Sequence, residues 1–334
     1  MKNYIKKKKK KFFYHRKKKK VHNFLKRKII KIIINFFLIS IILCFSLEAK
    51  KNNENKPIIN TKIKVAMCTL CKKENKYIKY FIEYYKILGY NHFYLYDHNN
   101  IGDEKLEDVK IVRDGIKKGF ITVIKYPNNK GMFVTHSYYD CYEKYSSLYD
   151  WISFFDVDEY LVLKPRNSSI QDFLDNPRYN NCEDIQFNWR VFTDNEQLDY
   201  EDKPLNERFP VESKYILEQR HVKTTVRGKL DYNKFKKNDN PHSVYSNIKA
   251  CSSSGKVTNW DYYIWPPDLK YASLNHYVTK TVREYFEKRY RERGERNNMG
   301  ERYQRYCFDF FFTVNKKTKE KVDIFNQLFH TNYQ

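Results

Sequence analysis

The segment Phe154-Phe155-Asp156-Val157-Asp158-Glu159-Tyr160-Leu161 puts three carboxylates within four positions, directly behind an apolar run. On an extended backbone Asp156 and Asp158 share one side while Val157 faces the other. Two carboxylates so close repel each other unless a cation neutralises them, and oxygen ligands suit Mg²⁺ or Mn²⁺. A divalent ion held this way can bridge a nucleotide diphosphate and stabilise it as a leaving group. The bland alternative is a solvated acidic turn, since bare Asp-x-Asp triplets are common. The strand before this triplet and the Glu-Tyr-Leu behind it favour the metal reading.

Positioning such a motif needs a sheet. Lys64 to Leu70 is a near-continuous apolar run that fits a buried parallel strand. Tyr77, Ile78, Phe81, Ile82, Tyr85 and Leu88 follow at helical spacing, and Gly89 closes that helix. His92 to Tyr96, Phe120 to Tyr126 and Trp151 to Phe155 read as three further strands, with a helix over Met132 to Tyr149 before the last. This rhythm predicts an α/β domain with an open, mostly parallel, Rossmann-like sheet and helices on both faces. Ligands of such sheets bind beyond the carboxyl ends of the strands, where Thr69 with Glu74, then Asp97, then Asp156 fall. Further on, Ile185 to Trp189 and Tyr271 to Tyr277 read as strands, Asp194 to Pro210 as a polar loop, and Thr281 to Arg293 as a charged helix. A phosphatase of the haloacid-dehalogenase type also starts with Asp-x-Asp after a strand. It wants Thr or Val where Tyr160 stands, and its motif belongs on the first strand, so that reading is rejected.

The chain of 334 residues carries 64 Lys and Arg against 40 Asp and Glu, a formal net charge of +24. Residues 1–31 hold 16 of those basic groups and no acidic one, which leaves a net +8 on the remaining 303. The basic excess is thus a property of the tail, and a nucleic-acid partner is not expected. Ile29 to Leu47 is a 19-residue stretch with one charge, Lys31, close to the roughly 20 apolar residues that a span needs. The polybasic tail of residues 1–28 stays cytoplasmic by the positive-inside rule. A signal anchor over 29–47, a stem over 48–61 and a catalytic domain over 62–334 on the non-cytoplasmic side are therefore expected, in a single-pass membrane protein. Cys68-x-x-Cys71 suggests a zinc or redox pair, but no second pair follows at finger spacing. Buried thiols are the favoured reading, with disulfides as the alternative. Asn167-Ser168-Ser169 is a glycosylation sequon usable only in a secretory lumen.

WISFFDVDEYL resembles the signature of GT-A glycosyltransferases of family 92, a group related to family 2. Lys73-Glu74, Gly89 to Asp97 with Asn99, Phe187 to Phe192, Lys223 to Arg227 and Asn275 to Lys280 resemble further blocks in the same order. The likeness covers residues 63–295; Lys73 replaces a usual Asn, and Gly228 a usual Pro. It implies a GT-A fold, a nucleotide-diphosphate sugar as donor, a UDP-linked hexose such as galactose, and Mn²⁺ or Mg²⁺. The acceptor is then a hydroxyl of a glycan, glycolipid or glycoprotein, and the mechanism is inverting. In a eukaryote the body lies in a Golgi-type lumen. Asp156 and Asp158 bind the ion, and His276 completes its coordination unless it is an ordinary strand histidine. Thr69, Glu74 and Asp97 hold the nucleoside. Lys223 and Arg227 neutralise phosphate, or else are edge-strand charges. An inverting transfer also needs a base across from the diphosphate. Asp194, and after it Glu196, stand in the right order in an acid-rich loop. Two other functions compete: a membrane-tethered basic binding module, which leaves Asp-Val-Asp-Glu at a strand end unexplained, and a degenerate transferase fold kept as a scaffold.

Overall fold

A computed structural model describes residues 63–126, 133–165, 168–231, 233, 236–237, 240–259, 262–293 and 300–334. The anchor, tail and stem read from the sequence, and Asn167 of the sequon, lie outside these residues. None of the described helices is long and apolar enough to cross a membrane.

In chain order the first half runs β1 (Val65–Cys71), α1 (Asn75–Leu88), β2 (His92–Asp97), α2 (Lys110–Lys117), β3 (Ile121–Lys125), α3 (Phe133–Tyr145) and β4 (Trp151–Phe154). The apolar runs become strands because both faces are covered, and β1 shows the alternation directly. Val65 and Met67 face the core that takes Tyr77, Ile78, Phe81 and Tyr85 of α1, while Ala66 and Cys68 face Tyr138 and Tyr142 of α3. Burying one such Phe or Ile contributes about 1.5–3 kcal/mol. α1 stops at Gly89, whose φ of 108° suits a residue without Cβ, and its N–H closes onto Tyr85 O and Lys86 O.

The second half comprises β5 (Glu159–Leu163), α4 (Ile170–Leu174), β6 (Asp184–Val191), α5 (Leu205–Arg208) and β7 (Val222–Arg227). A small hairpin of β8 (Lys236–Lys237) and β9 (Tyr245–Ser246) follows, then β10 (Ala250–Ser252) and β11 (Ala272–His276). The described chain ends with α6 (Val282–Arg293), α7 (Glu301–Val314) and α8 (Lys319–Phe329). Among the described residues the main sheet has nine strands in the order β3-β2-β1-β4-β7-β6-β11-β5, with β10 beside β6.

The expected mostly parallel sheet holds for β3-β2-β1-β4 and for the pairings of β6 with β10 and β11. It needs correction at β7 and β5, which run antiparallel to their neighbours. That reversal shapes the site. The carboxyl ends of β1, β2, β4, β6 and β11 share one edge with the amino ends of β5 and β7. Two disulfides, Cys68–Cys141 and Cys182–Cys251, tie α3 to β1 and β10 to the segment before β6, while Cys71 and Cys307 are buried thiols. The Cys68-x-x-Cys71 pair therefore splits between a disulfide and a thiol; among the described residues the disulfide alternative holds for four cysteines and the buried-thiol reading for Cys71 and Cys307.

Candidate active site

β4 ends at Phe154, and the chain turns rather than continuing extended. The Asp156 carbonyl accepts from Glu159 N–H at 3.0 Å, and the Glu159 carboxylate accepts from Asp156 N–H at 2.8 Å. This doubly closed turn delivers Asp156, Val157 and Asp158 to one cavity of about 230 Å³, also lined by Leu70, Lys72, Glu74, His98, Val134, Lys288 and Arg291. The two aspartates thus reach one site through a turn, not through strand alternation.

The carboxylates are held by cations from three elements. Asp156 accepts from Tyr138 Oη at 2.9 Å and pairs with Lys223 Nζ at 2.9 Å. Burial works against its ionisation, but the Lys223 ammonium wins and holds the Asp156 carboxyl below its usual range. Asp158 Oδ2 receives both Lys280 Nζ and Lys288 Nζ at 2.7 Å. Against a strong burial effect, these two ammoniums keep Asp158 well below the usual carboxylate range. Glu159 is fully buried, and burial pushes its carboxyl well up, beyond what Lys223 offsets.

His276, at the carboxyl end of β11, lies with Nε2 3.7 Å from Asp158 Oδ1. Both of its ring nitrogens are buried without a hydrogen-bond partner, and burial lowers its pKa, which favours the neutral imidazole. Among the described residues no three His, Cys, Asp or Glu side chains converge as a ready-made metal cage. The donor set nevertheless fits a divalent ion: an ionised carboxylate, a neutral imidazole with an orphaned nitrogen facing it, and a second carboxylate two residues away. A buried, unpaired imidazole is costly without such a partner.

Lys280, Lys288 and Arg291 come from a segment whose sequence looks like solvated helix surface. α6 begins with a capping box: Glu284 N–H donates to Thr281 Oγ1 at 3.2 Å, and Thr281 N–H reaches Glu284 Oε2 at 3.4 Å. Residues 281, 284, 288 and 291 then follow one face at helical spacing. That face meets the site and α1, while Val282 and Tyr285 pack on α7 and α8. Arg291 donates to Lys73 O at 2.8 Å and pairs with Glu74, fastening the β1–α1 loop to α6. A second cavity, about 330 Å³, lies across Lys288 and Arg291 and reaches Lys76, Tyr77 and Tyr290. The signal that could have marked α6 was the spacing Lys280, Glu284, Lys288 behind His276.

The other expected residues divide. Glu74 lines the cavity. Thr69 is buried in β1 with Oγ1 unpartnered. Asp97 is buried at the end of β2, paired with Lys125 and accepting from Asn99 Nδ2 at 2.8 Å, one residue short of the cavity wall. Three expectations need correction. Arg227 sits at the opposite edge of the sheet, across from Trp151, where its guanidinium donates to Cys182 O and Tyr179 O at 3.0 and 2.9 Å. The reversed direction of β7 brings Lys223 to the site and carries Arg227 away. Asp194 is buried against Lys321 of α8 at 2.6 Å, with its N–H donating to Asn315. Glu196 is exposed and paired with Lys316 at 2.9 Å. Neither lines a cavity described above, because the loop after β6 leads toward the C-terminal helices. Next to Arg227, a Cβ on Gly228 would stand 2.0 Å from Tyr149 O, and its N–H donates to Asp150 O. Proline has no place there.

Compared with known proteins, the chain has no match among curated sequences. Solved structures of S. aureus TarS residues 1–349, one alone and one in complex with UDP, align with 80% of this chain and 70% of theirs, at 10% identity and a TM-score of 0.36. The profile of glycosyltransferase family 92 matches residues 61–334, and the chain belongs to that family.

Proposed function

We propose that this family 92 glycosyltransferase moves a hexose from a UDP-sugar, galactose being the first candidate, to a hydroxyl of a glycan, glycolipid or glycoprotein. The reaction depends on a divalent metal and inverts the anomeric centre. The observation that carries this reading is the Asp156–Glu159 turn, which sets two ionised carboxylates beside His276, whose ring nitrogens lack a hydrogen-bond partner, and beside Lys223, Lys280 and Lys288. Asp158 and His276, with Asp156, would hold Mn²⁺ or Mg²⁺, and the bound ion would supply positive charge to the departing diphosphate. Lys280 and Lys288 turn from Asp158 toward the same phosphate oxygens and take up part of their charge. Lys223 keeps Asp156 ionised and in place. Glu74, Thr69 and Asp97, around the ends of β1 and β2, shape the nucleoside end.

Residues 29–47 anchor the enzyme with its N-terminus cytoplasmic and, in a eukaryote, its body in a Golgi-type lumen. The apolar stretch behind a polybasic tail supports this topology, and two disulfides suit an oxidising compartment. The test is turnover of UDP-galactose, UDP-glucose, UDP-N-acetylglucosamine, GDP-mannose and GDP-fucose by the purified protein with Mn²⁺ and with EDTA. One UDP-hexose is expected to be consumed, with activity lost in EDTA and restored by Mn²⁺. If no donor is consumed or bound, the transferase reading gives way to the scaffold or basic binding module.

A further inference from the structure

With Asp194 and Glu196 drawn off to the C-terminal helices, the acceptor hydroxyl lacks a base among the carboxylates first considered. Asp156, Asp158 and Glu74 are each paired with a cation. Glu159 is sealed beneath the turn.

One group at the same edge has the form of a base. His221 immediately precedes β7, whose amino end faces the site. Its Nδ1 lies 3.1 Å from the Glu218 carbonyl oxygen and 3.2 Å from the Glu218 carboxylate. With two acceptors on Nδ1, the neutral ring carries its proton there and leaves the lone pair on Nε2. Nε2 has no partner among the described residues, and the side chain is 13% exposed, so the lone pair is within reach of a ligand.

The ring is also continuous with the metal-binding groups. His276, 3.7 Å from Asp158, packs on Trp189 with ring centroids 4.1 Å apart. Trp189 packs on His221 at 5.0 Å, and His221 on Tyr263 at 4.7 Å. Trp189 Nε1 is buried and unpartnered. His242, whose Nδ1 lies 2.9 Å from Val222 O, packs on both Trp189 and His221 with ring centroids 4.9 and 5.0 Å away, and the Arg220 guanidinium covers Tyr263. Trp189 is buried and holds the three imidazoles together, while Tyr263, half-buried beside the carboxylate-held imidazole, is the ring on which a sugar could rest.

We propose that His221, positioned by Glu218, is the catalytic base, and that the half-buried Tyr263 beside it borders the acceptor sugar; this rests on the transferase reading above. Nε2 takes the acceptor hydroxyl proton as the oxygen bonds to the anomeric carbon. The bond from that carbon to the β-phosphate oxygen breaks, its electron pair leaving with the UDP. The imidazolium then gives its proton to water.

The test uses the full chain with Mn²⁺, the UDP-hexose it consumes and a panel of methyl glycosides as acceptors, with release of UDP to water followed in parallel. His221→Ala and His221→Gln should lower transfer by at least about 100-fold. UDP binding by calorimetry should stay within twofold, and added imidazole should restore part of the activity of His221→Ala. Glu218→Gln, which keeps an acceptor for Nδ1, should retain more activity than Glu218→Ala. Transfer within about fivefold of wild type in either His221 variant overturns the inference and leaves the transferase reading intact. Loss of transfer together with UDP binding, or loss that imidazole does not rescue, also overturns it, because a structural role then suffices. A wild type that turns over no donor, even to water, removes the transferase reading itself and this inference with it.

Discussion

Asp158→Asn is expected to lower transfer by about 10³-fold, the scale of losing one charge-stabilising group in an enclosed site, and to abolish metal-dependent UDP binding. The side chain does two jobs. Its Oδ1 faces His276, and its Oδ2 receives two ammoniums at 2.7 Å. With the anion gone, Lys280 and Lys288 lose the carboxylate they share, and burial already works against the charged form of Lys280. Asp194→Asn is the matched control. Asp194 is equally buried but paired with Lys321 of α8, away from the cavity, so a loss below about tenfold is expected for it. Initial rates at saturating donor separate the two, and an Asp158→Asn enzyme within tenfold of wild type would contradict the assignment. The pH dependence has a fixed sign. The depressed Asp158 carboxyl contributes stability that is fully present above its unfolded pKa of roughly 3.9 and is lost as pH falls through the lower folded value.

Glu284→Ala is expected to cost about 3–5 kcal/mol of stability, the scale of stranding one member of a buried ion pair. Arg208 donates to both Glu284 oxygens, at 2.8 and 2.7 Å, and the pair is almost fully enclosed. Tyr77 Oη and Thr281 Oγ1 each add a hydrogen bond at 2.8 Å. This single carboxylate joins α1, α5 and the start of α6, so its loss frees the helix that carries Lys288 and Arg291. Replacing the pair together, as Arg208→Met with Glu284→Leu, leaves no stranded charge and should recover much of the loss. Urea unfolding of the single and double variants gives the comparison. A Glu284→Ala midpoint equal to wild type would show that the network is not holding α6.

Much of this architecture was legible where burial writes a simple pattern. β1, β2 and β4 are apolar on both faces because helices cover both, and their runs stand out in the sequence. α1 announces itself by apolar spacing and Gly89. α2 was missed because only Ile111, Val112 and Ile116 mark its apolar side, and Gly115 sits inside it. Strand direction was harder still. Lys223 and Arg227 lie on one short strand, and only the antiparallel pairing with β4 shows which end meets the site. The charges of α6 looked solvated because sequence does not separate a polar face on water from one on an anion site. The role of Asp194 is hidden in the sequence because its partner, Lys321, lies 127 residues further on, and spacing gives no sign of that pairing. The Asp-Val-Asp-Glu turn was visible as chemistry, while its closure by Glu159 depends on side-chain geometry that spacing alone does not carry.

The most direct test of the central claim is a calorimetric titration of UDP into the full chain, once with Mn²⁺ and once with EDTA. Saturable one-site binding that disappears in EDTA is the predicted result. No binding in Mn²⁺, or binding of equal strength in EDTA, would contradict a metal site built on Asp158 and His276.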